Sequence, residues 1–452
     1  MLTNIITRKI ASFYWIMKKY VKNIYILIFF TFIIVILIWF VYFYFVKLSN
    51  YNSYIEPKEY FAFSKGYVYN PDDTVFLTKF CDKNSKIEIR NLLSGEELRV
   101  ELDYSSSIDY SSYKFNELNC FTHTDCIIPT IPGIYLVILK NRFDEYQFGD
   151  IFFVNDNSNQ DKVKIKVVLS DYTWIAYNEF GGRSNYKDFV TPNFIKMFTS
   201  FYEHRRDNYP LNIFRPNLAN SAEIEQWFND DFEFVNRRNY HCVVSEIPLL
   251  KFLYSNYDSY SIEILDCNSF EEYKGERENF LFIFNGHSEY WSDIMIAGLN
   301  NLKEMNNILF FSGNNIYRKV KRHNNSLFVV ENIIDQKITS NLTGLYYSSD
   351  GYMQNSSFKI VSKNHLLFKG IHVDEFGGDW VVSHETDKIT INTPTNSLIL
   401  AKGRDVACDL ILVKNNKYYL LNTGSVGSYN GLKDWYFAKF IKNYISLAMV
   451  DR

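Results

Sequence analysis

The chain has 452 residues, with 48 Lys and Arg against 51 Asp and Glu, a formal net charge of -3 and 22% charged residues. That length suits two domains plus an accessory segment, and so even a charge balance argues against nucleic acid or another polyanion as partner. The 35 Tyr and 39 Phe accompany much Asn, Ile and Lys, a bias that reads as base composition, so a single tyrosine is weak evidence of function.

Residues 24–46 are apolar or aromatic apart from Thr31 and carry no charge, enough to cross a bilayer as a helix. Arg8, Lys9, Lys18, Lys19 and Lys22 precede this run, and Lys47 is the only basic residue closely following it. The positive-inside rule then predicts residues 1–23 in the cytoplasm, a lipid-embedded span over 24–46, a linker over 47–59 and the main domains in the periplasm or outside the cell. A cleaved signal peptide and a buried core helix are the competing readings. The length of the run and the lack of a small-x-small cleavage site favour an uncleaved signal anchor.

Residues 60–156 read as short strands punctuated by turns such as Asn70-Pro71-Asp72-Asp73 and Ser94-Gly95-Glu96, the pattern of an antiparallel β-sandwich of immunoglobulin-like size. Cys81, Cys120, Cys126, Cys242, Cys267 and Cys408 contain no C-x-x-C pair, which argues against structural zinc. Cys120 and Cys126 share one loop-like stretch, where a disulfide and a pair of free thiols are equally compatible with the sequence.

From 160 to 452 strands alternate with helices: strands over 163–169 and 261–265, helices over 221–228 and 243–254, and a buried strand from Asn279 to Phe284 that ends at Asn285-Gly286. Ser292 is positioned to cap a helix running to Leu302, with Ile294, Met295, Gly298 and Leu299 on one face. A strand over 307–311 continues the alternation. The expected fold is a doubly wound, mainly parallel sheet. The last third returns to strands near 358, 379, 397, 410 and 418 and closes with a helix over 434–448; it either completes the sheet or adds a small layer. Neither a Gly-x-Gly-x-x-Gly fingerprint nor a phosphate loop is present, so nucleotide binding has no support.

Four polar clusters follow predicted strands: Thr173 to Tyr186, with Trp174, Tyr177, Asn178, Arg183 and Tyr186; Gly286-His287-Ser288-Glu289-Tyr290-Trp291; Phe311 to Arg318, with Asn314; and Ser383-His384-Glu385-Thr386-Asp387 together with Asn422-Thr423-Gly424-Ser425. One such loop alone reads equally well as turn chemistry. Several at successive strand ends converge at one sheet edge, the usual place for a ligand. Without a Gly-x-Ser-x-Gly elbow, or a cysteine in these loops, a Ser or Cys nucleophile is not favoured. Glu289 and a phenolate are hard donors for an oxophilic ion, and His287, two residues from Glu289 on an extended segment, can face the same side and move protons. A hydrogen-bonded strand-end histidine is the bland alternative.

These motifs resemble the N,N-dimethylformamidase large (beta) subunit-like family, specifically its C-terminal domain. The family pattern Trp-x-Ala-Tyr-Asn-x-aromatic-Gly-Gly-x-Ser-x-Tyr matches Trp174 to Tyr186, and Gly-His-Asp-Glu-Tyr-Trp-Ser matches Gly286 to Ser292 with Ser288 in place of Asp. Phe-x-Gly-Asn-x-x-Tyr matches Phe311 to Tyr317, and a late Asn-Thr-Gly-Ser matches Asn422 to Ser425. The resemblance extends from about residue 60 to the end. It implies a glutamine-amidotransferase-like α/β domain and an iron site of two tyrosines and one glutamate, assisted in amide hydrolysis by a histidine and a second glutamate. Carried over, Tyr177 and Glu289 are metal ligands and His287 and Glu385 the catalytic groups. The second phenolate belongs to a Phe-x-Arg-Pro-Tyr segment, where this chain has Asn217; Tyr186 or Tyr209 could stand in, or the site takes another divalent metal, or none.

The reading that results is a membrane-anchored, exported hydrolase acting on a non-peptide amide of a small-molecule or envelope substrate, with Trp174, Asn178, Arg183, Tyr186, Asn314 and Asn217 around the substrate. A homo-oligomer is compatible with the sequence. The alternative is a non-catalytic envelope protein that binds glycan or peptide through the same loops.

Overall fold

The structure is a computed structural model that describes residues 2–55, 61–64, 66–80, 86–95, 97–100, 125–127, 129–140, 146–156, 164–178, 184–186, 210–213, 243–274, 280–331 and 333–449. The chain forms two compact units, residues 1–56 with 189–202, and residues 57–188 with 203–452.

In the first unit a helix, α1, runs over Leu2–Ile55. Its stretch Phe13–Tyr42 is long and apolar enough to cross a membrane. The helix continues to Ile55, through most of the linker expected over 47–59. No Gly or Pro interrupts residues 47–55, and Pro57 is the first residue whose ring disfavours helix in the residue before it.

The second unit begins with strands β1 (Phe61–Ser64), β2 (Val68–Tyr69), β3 (Val75–Phe80), β4 (Lys86–Asn91), β5 (Glu97–Val100), β6 (Asp125–Ile127), β7 (Gly133–Lys140) and β8 (Tyr146–Val154). They form two sheets, β1-β3-β6 and β2-β8-β7-β4-β5. All neighbours are antiparallel except β2, which runs parallel to β8, a departure from the purely antiparallel expectation. Alternation along β7 gives each sheet face its own job. Tyr135, Val137 and Leu139 pack with Val75, Leu77, Ile87 and Ile89 between the sheets. Ile134, Leu136 and Ile138 point the other way, into the large core of the α/β region.

That region contains β9 (Lys164–Val168), α2 (Asp171–Tyr177), β10 (Pro210–Asn212), α3 (Glu246–Asn256), β11 (Ser261–Leu265), α4 (Cys267–Glu272), β12 (Leu281–His287), β13 (Tyr290–Ser292), α5 (Asp293–Leu302), β14 (Asn307–Gly313), β15 (Arg318–His323), β16 (Ser326–Glu331) and α6 (Gln336–Thr343). It continues with β17 (Tyr346–Ser348), β18 (Asn355–Ser356), β19 (Phe358–Ile360), β20 (Glu375–Phe376), β21 (Val382–Ser383), β22 (Thr386–Lys388), β23 (Ser397–Gly403), β24 (Asp409–Lys414), β25 (Tyr419–Asn422) and α7 (Trp435–Met449).

Nine strands make the central sheet, in the order β11-β9-β12-β14-β25-β24-β23-β19-β20. The first five are mutually parallel and the last four continue antiparallel, so the C-terminal third completes the sheet and "mainly parallel" holds for one half of it. Along β12 the side chains alternate. Leu281 and Ile283 join the core shared with α3 and α7, whereas Phe282 and Phe284 join the one shared with α4 and α5, which is what a sheet wound on both faces requires. Ser292 caps α5 by accepting from the Met295 amide, and Met295, Leu299 and Leu302 are its buried stripe. Ile294, expected on that stripe, is 57% exposed because it lies about 100° round the helix from Met295.

Besides this shared core, a side-chain clip joins the sandwich to the edge of the sheet. Asn155, just past β8, donates through Nδ2 to the Ile264 carbonyl at 3.2 Å and accepts from the Ile264 amide at 2.6 Å, forming a rung along edge strand β11.

Candidate active site

β12 does not stop at Asn285 as the sequence suggests; it pairs with β14 through His287, opposite Gly313. Gly286 makes this possible. Its φ is +67°, and a Cβ there would lie 2.1 Å from Ser245 Oγ, so only glycine passes. His287 and Glu289 follow, both 1% exposed. Two clips fix them. Thr173 Oγ1, on α2, accepts from the amides of Glu289 (3.2 Å) and Tyr290 (3.4 Å), and the Glu289 carbonyl accepts from the amides of Tyr317 and Arg318 at 3.0 and 2.9 Å.

Residues 173–177, expected in a loop, belong to α2, which carries Tyr177 to the carboxylate. Tyr177 donates to Glu289 Oε2 at 2.9 Å, and Tyr186 OH lies 3.2 Å from both Glu289 oxygens and 2.9 Å from Tyr177 OH. Tyr290 donates to Tyr186 at 2.9 Å and is itself held by Asn185 Nδ2 at 2.6 Å. On the other side Arg318 Nε donates to Glu289 Oε1 at 2.5 Å, and this guanidinium is 1% exposed. Burial first, and the Glu289 charge second, push the Tyr177, Tyr186 and Tyr290 hydroxyls well above the usual phenol range, so each carries its proton at neutral pH.

His287 Nε2 is 2.8 Å from Glu385 Oε2 and 3.5 Å from Glu289 Oε2. Burial alone would discharge this pair, pulling the imidazole down and pushing the carboxyl up. Mutual attraction outweighs it: the imidazole, facing Glu385, Glu289 and Asp387, ends above its ordinary value, and Glu385, facing His287, Asn314 and Arg318, ends below its own. Asn314 Nδ2 donates to Glu385 Oε2 at 2.6 Å and stands 3.2 Å from His287 Nε2. Asn314 has φ +49°, an unusual backbone for a non-glycine residue, and Asp387 holds it there by accepting from the Asn314 amide at 2.8 Å and from Asn315 Nδ2 at 3.0 Å. Burial raises the Asp387 carboxyl to about 7.

Among the described residues no group of three or more His, Cys, Asp and Glu is placed to hold a metal ion. The oxygens of Tyr177, Tyr186 and Glu289 (Oε2) nevertheless form a triangle with edges of 2.9, 2.9 and 3.2 Å. Neighbouring oxygen donors on an octahedral ion with bonds of about 2.0–2.1 Å are about 2.9 Å apart, so this donor set has the spacing and the hardness for such an ion.

The structure thus brings together His287, Glu289, Tyr177, Tyr186, Asn314 and Glu385. Trp174 is placed elsewhere: fully buried, it meets the Tyr67 ring edge to face at 5.1 Å in the large core. Asn178 is buried at the end of α2. Arg183, Tyr209 and Asn217 lie outside the described residues, as do Cys81, Cys120, Cys242 and the helix expected over 221–228. Sequence reasoning missed the pairing of Arg318 with Glu289 and the hold of Asp387 on Asn314. Both residues stood inside the polar clusters, but nothing in their spacing pointed to those partners.

Residues 126–330 match the family described as N,N-dimethylformamidase beta subunit-like, C-terminal. The match includes the Tyr177, His287–Glu289 and Phe311–Tyr317 motifs and ends before Glu385 and Asn422. No curated protein matches the chain. Among solved structures it is similar to a protein from Thermoplasma acidophilum described as a subunit of GMP synthase, at 12% identity and a TM-score of 0.29 over 44% of this chain and 86% of that one. It is also similar to a ThuA-like protein from Bacteroides uniformis, at 13% identity and a TM-score of 0.30 over 45% and 85%.

Proposed function

We propose that the chain is a membrane-anchored hydrolase of a non-peptide amide bond, with Tyr177, Tyr186 and Glu289 holding one oxophilic metal ion such as iron and His287 with Glu385 handling protons. One observation carries this reading: two phenols and a carboxylate converge within 3.2 Å of one another, directly beside an imidazole–carboxylate pair. In it Tyr186 takes the place that Asn217 leaves open.

An ion there would supply Lewis acidity, polarising an amide carbonyl and acidifying water. The remaining work falls to the protein. Arg318 occupies Glu289 Oε1 and so turns Oε2 toward the phenols. Glu385, 2.8 Å from His287 Nε2, orients the imidazole, which would take a proton from water as the C–O bond forms and give it to the amine nitrogen as the C–N bond breaks. Asn314 fixes Glu385. The α1 helix tethers the domain to the bilayer, with the basic residues 1–23 in the cytoplasm and the catalytic unit on the far side. A role in degrading dimethylformamide itself gives no reason for such a tether, so the natural substrate is a different amide.

Full-length protein purified in detergent tests the proposal by elemental analysis and an amide-hydrolysis panel. Wild type should carry stoichiometric metal that Glu289→Gln loses, while His287→Ala keeps the metal and loses hydrolysis. Absence of stoichiometric metal in wild type, together with unchanged stability in Glu289→Gln, would sink it.

A further inference from the structure

The segment after α6, residues 345–353, matches none of the family motifs, yet it lies beside the site. Tyr317 meets the Tyr347 ring at 5.2 Å and the Tyr346 ring at 6.0 Å, and the Arg318 guanidinium lies over both Tyr317 (5.4 Å) and Tyr186 (5.9 Å). A continuous aromatic path therefore leads from the Glu289 cluster outward. Burial, then the charge of Glu385, raises the Tyr347 hydroxyl above its usual range. Farther out, Tyr352 is 50% and Met353 56% exposed, and the Met353 amide donates to the His384 carbonyl at 2.7 Å, one residue before Glu385. Met353 and His384 both have positive φ, +58° and +63°, a backbone cost for non-glycine residues. Burial lowers His384 to about 4, so it adds an uncharged ring.

We infer that Tyr317, Tyr346, Tyr347 and Tyr352, with Met353 and His384, form a substrate subsite that takes an uncharged amide bearing a planar aromatic group, such as an anilide. This rests on the amidase reading for the position of the scissile bond, but the subsite is defined by its own residues. Partly exposed rings at tilted and edge-on angles offer faces and edges to another aromatic ring. Asp350, the charged residue of this segment, is already paired with Lys388 at 2.5 Å, which suits an uncharged ligand.

The test is equilibrium binding of formanilide to detergent-purified full-length protein, followed by saturation-transfer NMR, with N,N-dimethylformamide and a chitooligosaccharide as comparison probes. Formanilide should bind more tightly than either, and Tyr347→Ala/Tyr352→Ala should weaken it at least about tenfold, equivalent to about 1.4 kcal/mol, while Ile391→Ala on the exposed surface does not. Formanilide binding as tight in the double variant as in wild type overturns the inference, as does preference for the oligosaccharide. Binding that behaves as expected without any hydrolysis would leave the subsite standing and remove the amidase reading instead.

Discussion

Two buried glutamates flank the C-terminal end of β12, and they are built in opposite ways. Glu289 is met by the Arg318 guanidinium, by two phenols and by an imidazole 3.5 Å away. Glu246, at the start of α3 and 0% exposed, is met by neutral groups: the Asn285 side-chain amide on Oε2 at 2.7 Å, and the Ser170 backbone. Burial raises Glu246 to about 8, so it sits protonated at neutral pH. Equal burial beside one strand end thus gives a neutral plug in one place and a charge-compensated cluster in the other. The difference lies in where the protein installs a permanent cation.

The comparison breaks first at Arg318. Arg318→Met leaves a buried carboxylate without its counter-charge and should cost about 3–5 kcal/mol in chemical unfolding, with much of the loss recovered in Arg318→Met/Glu289→Leu. If the single variant is as stable as wild type, the cation is not what distinguishes the two glutamates.

The second effect is the pH dependence that Glu246 contributes. Its carboxyl is raised from 4.5 to about 8 in the folded state, so the folded chain binds more protons than the unfolded chain between those values. Stability from this group is full at acid pH and is lost as pH rises through about 8, on the order of a few kcal/mol in total. Glu246→Gln should flatten the fall between about pH 5 and about pH 8 in denaturation curves. An unaltered pH profile would show that the group is ionised in the folded protein.

The smallest effect sharpens the Glu289 side. Asp387→Asn keeps one oxygen for the Asn314 amide but puts an NH2 donor where Oδ2 accepts from Asn315 Nδ2, and should cost about 1–3 kcal/mol. Because the Asp387 charge also helps to raise His287, the imidazole should titrate lower in the variant, read by histidine-selective NMR. Loss of stability with no movement of His287 would make Asp387 a brace for the backbone alone.

Local signals made part of this legible. His287 and Glu289 stand two apart after an apolar strand, and the strand geometry alone brings them to one side. Tyr177 was found through its motif, although its helix was not, since seven residues are too few for helical periodicity to register. Arg318 and Asp387 were visible as residues but not as partners. Their contacts with Glu289 and Asn314 span 29 and 73 positions, and no pattern of period two or 3.6 encodes such distances. The antiparallel half of the sheet was equally open, because the alternation of a strand does not state which neighbour it chooses. Tyr347 was hidden by composition in a chain so rich in tyrosine.

The Asn155 rung on β11 has a consequence for how this protein can be divided. β11 is the outermost strand of a nine-stranded sheet, and the Asn155 side chain satisfies the Ile264 amide and carbonyl that would otherwise face outward. Cutting the chain ahead of residue 160 would strip this cover and offer neighbouring molecules a bare template for strand addition. The sandwich therefore also serves as a guard on the sheet's open margin, and the two parts should be expressed as one piece.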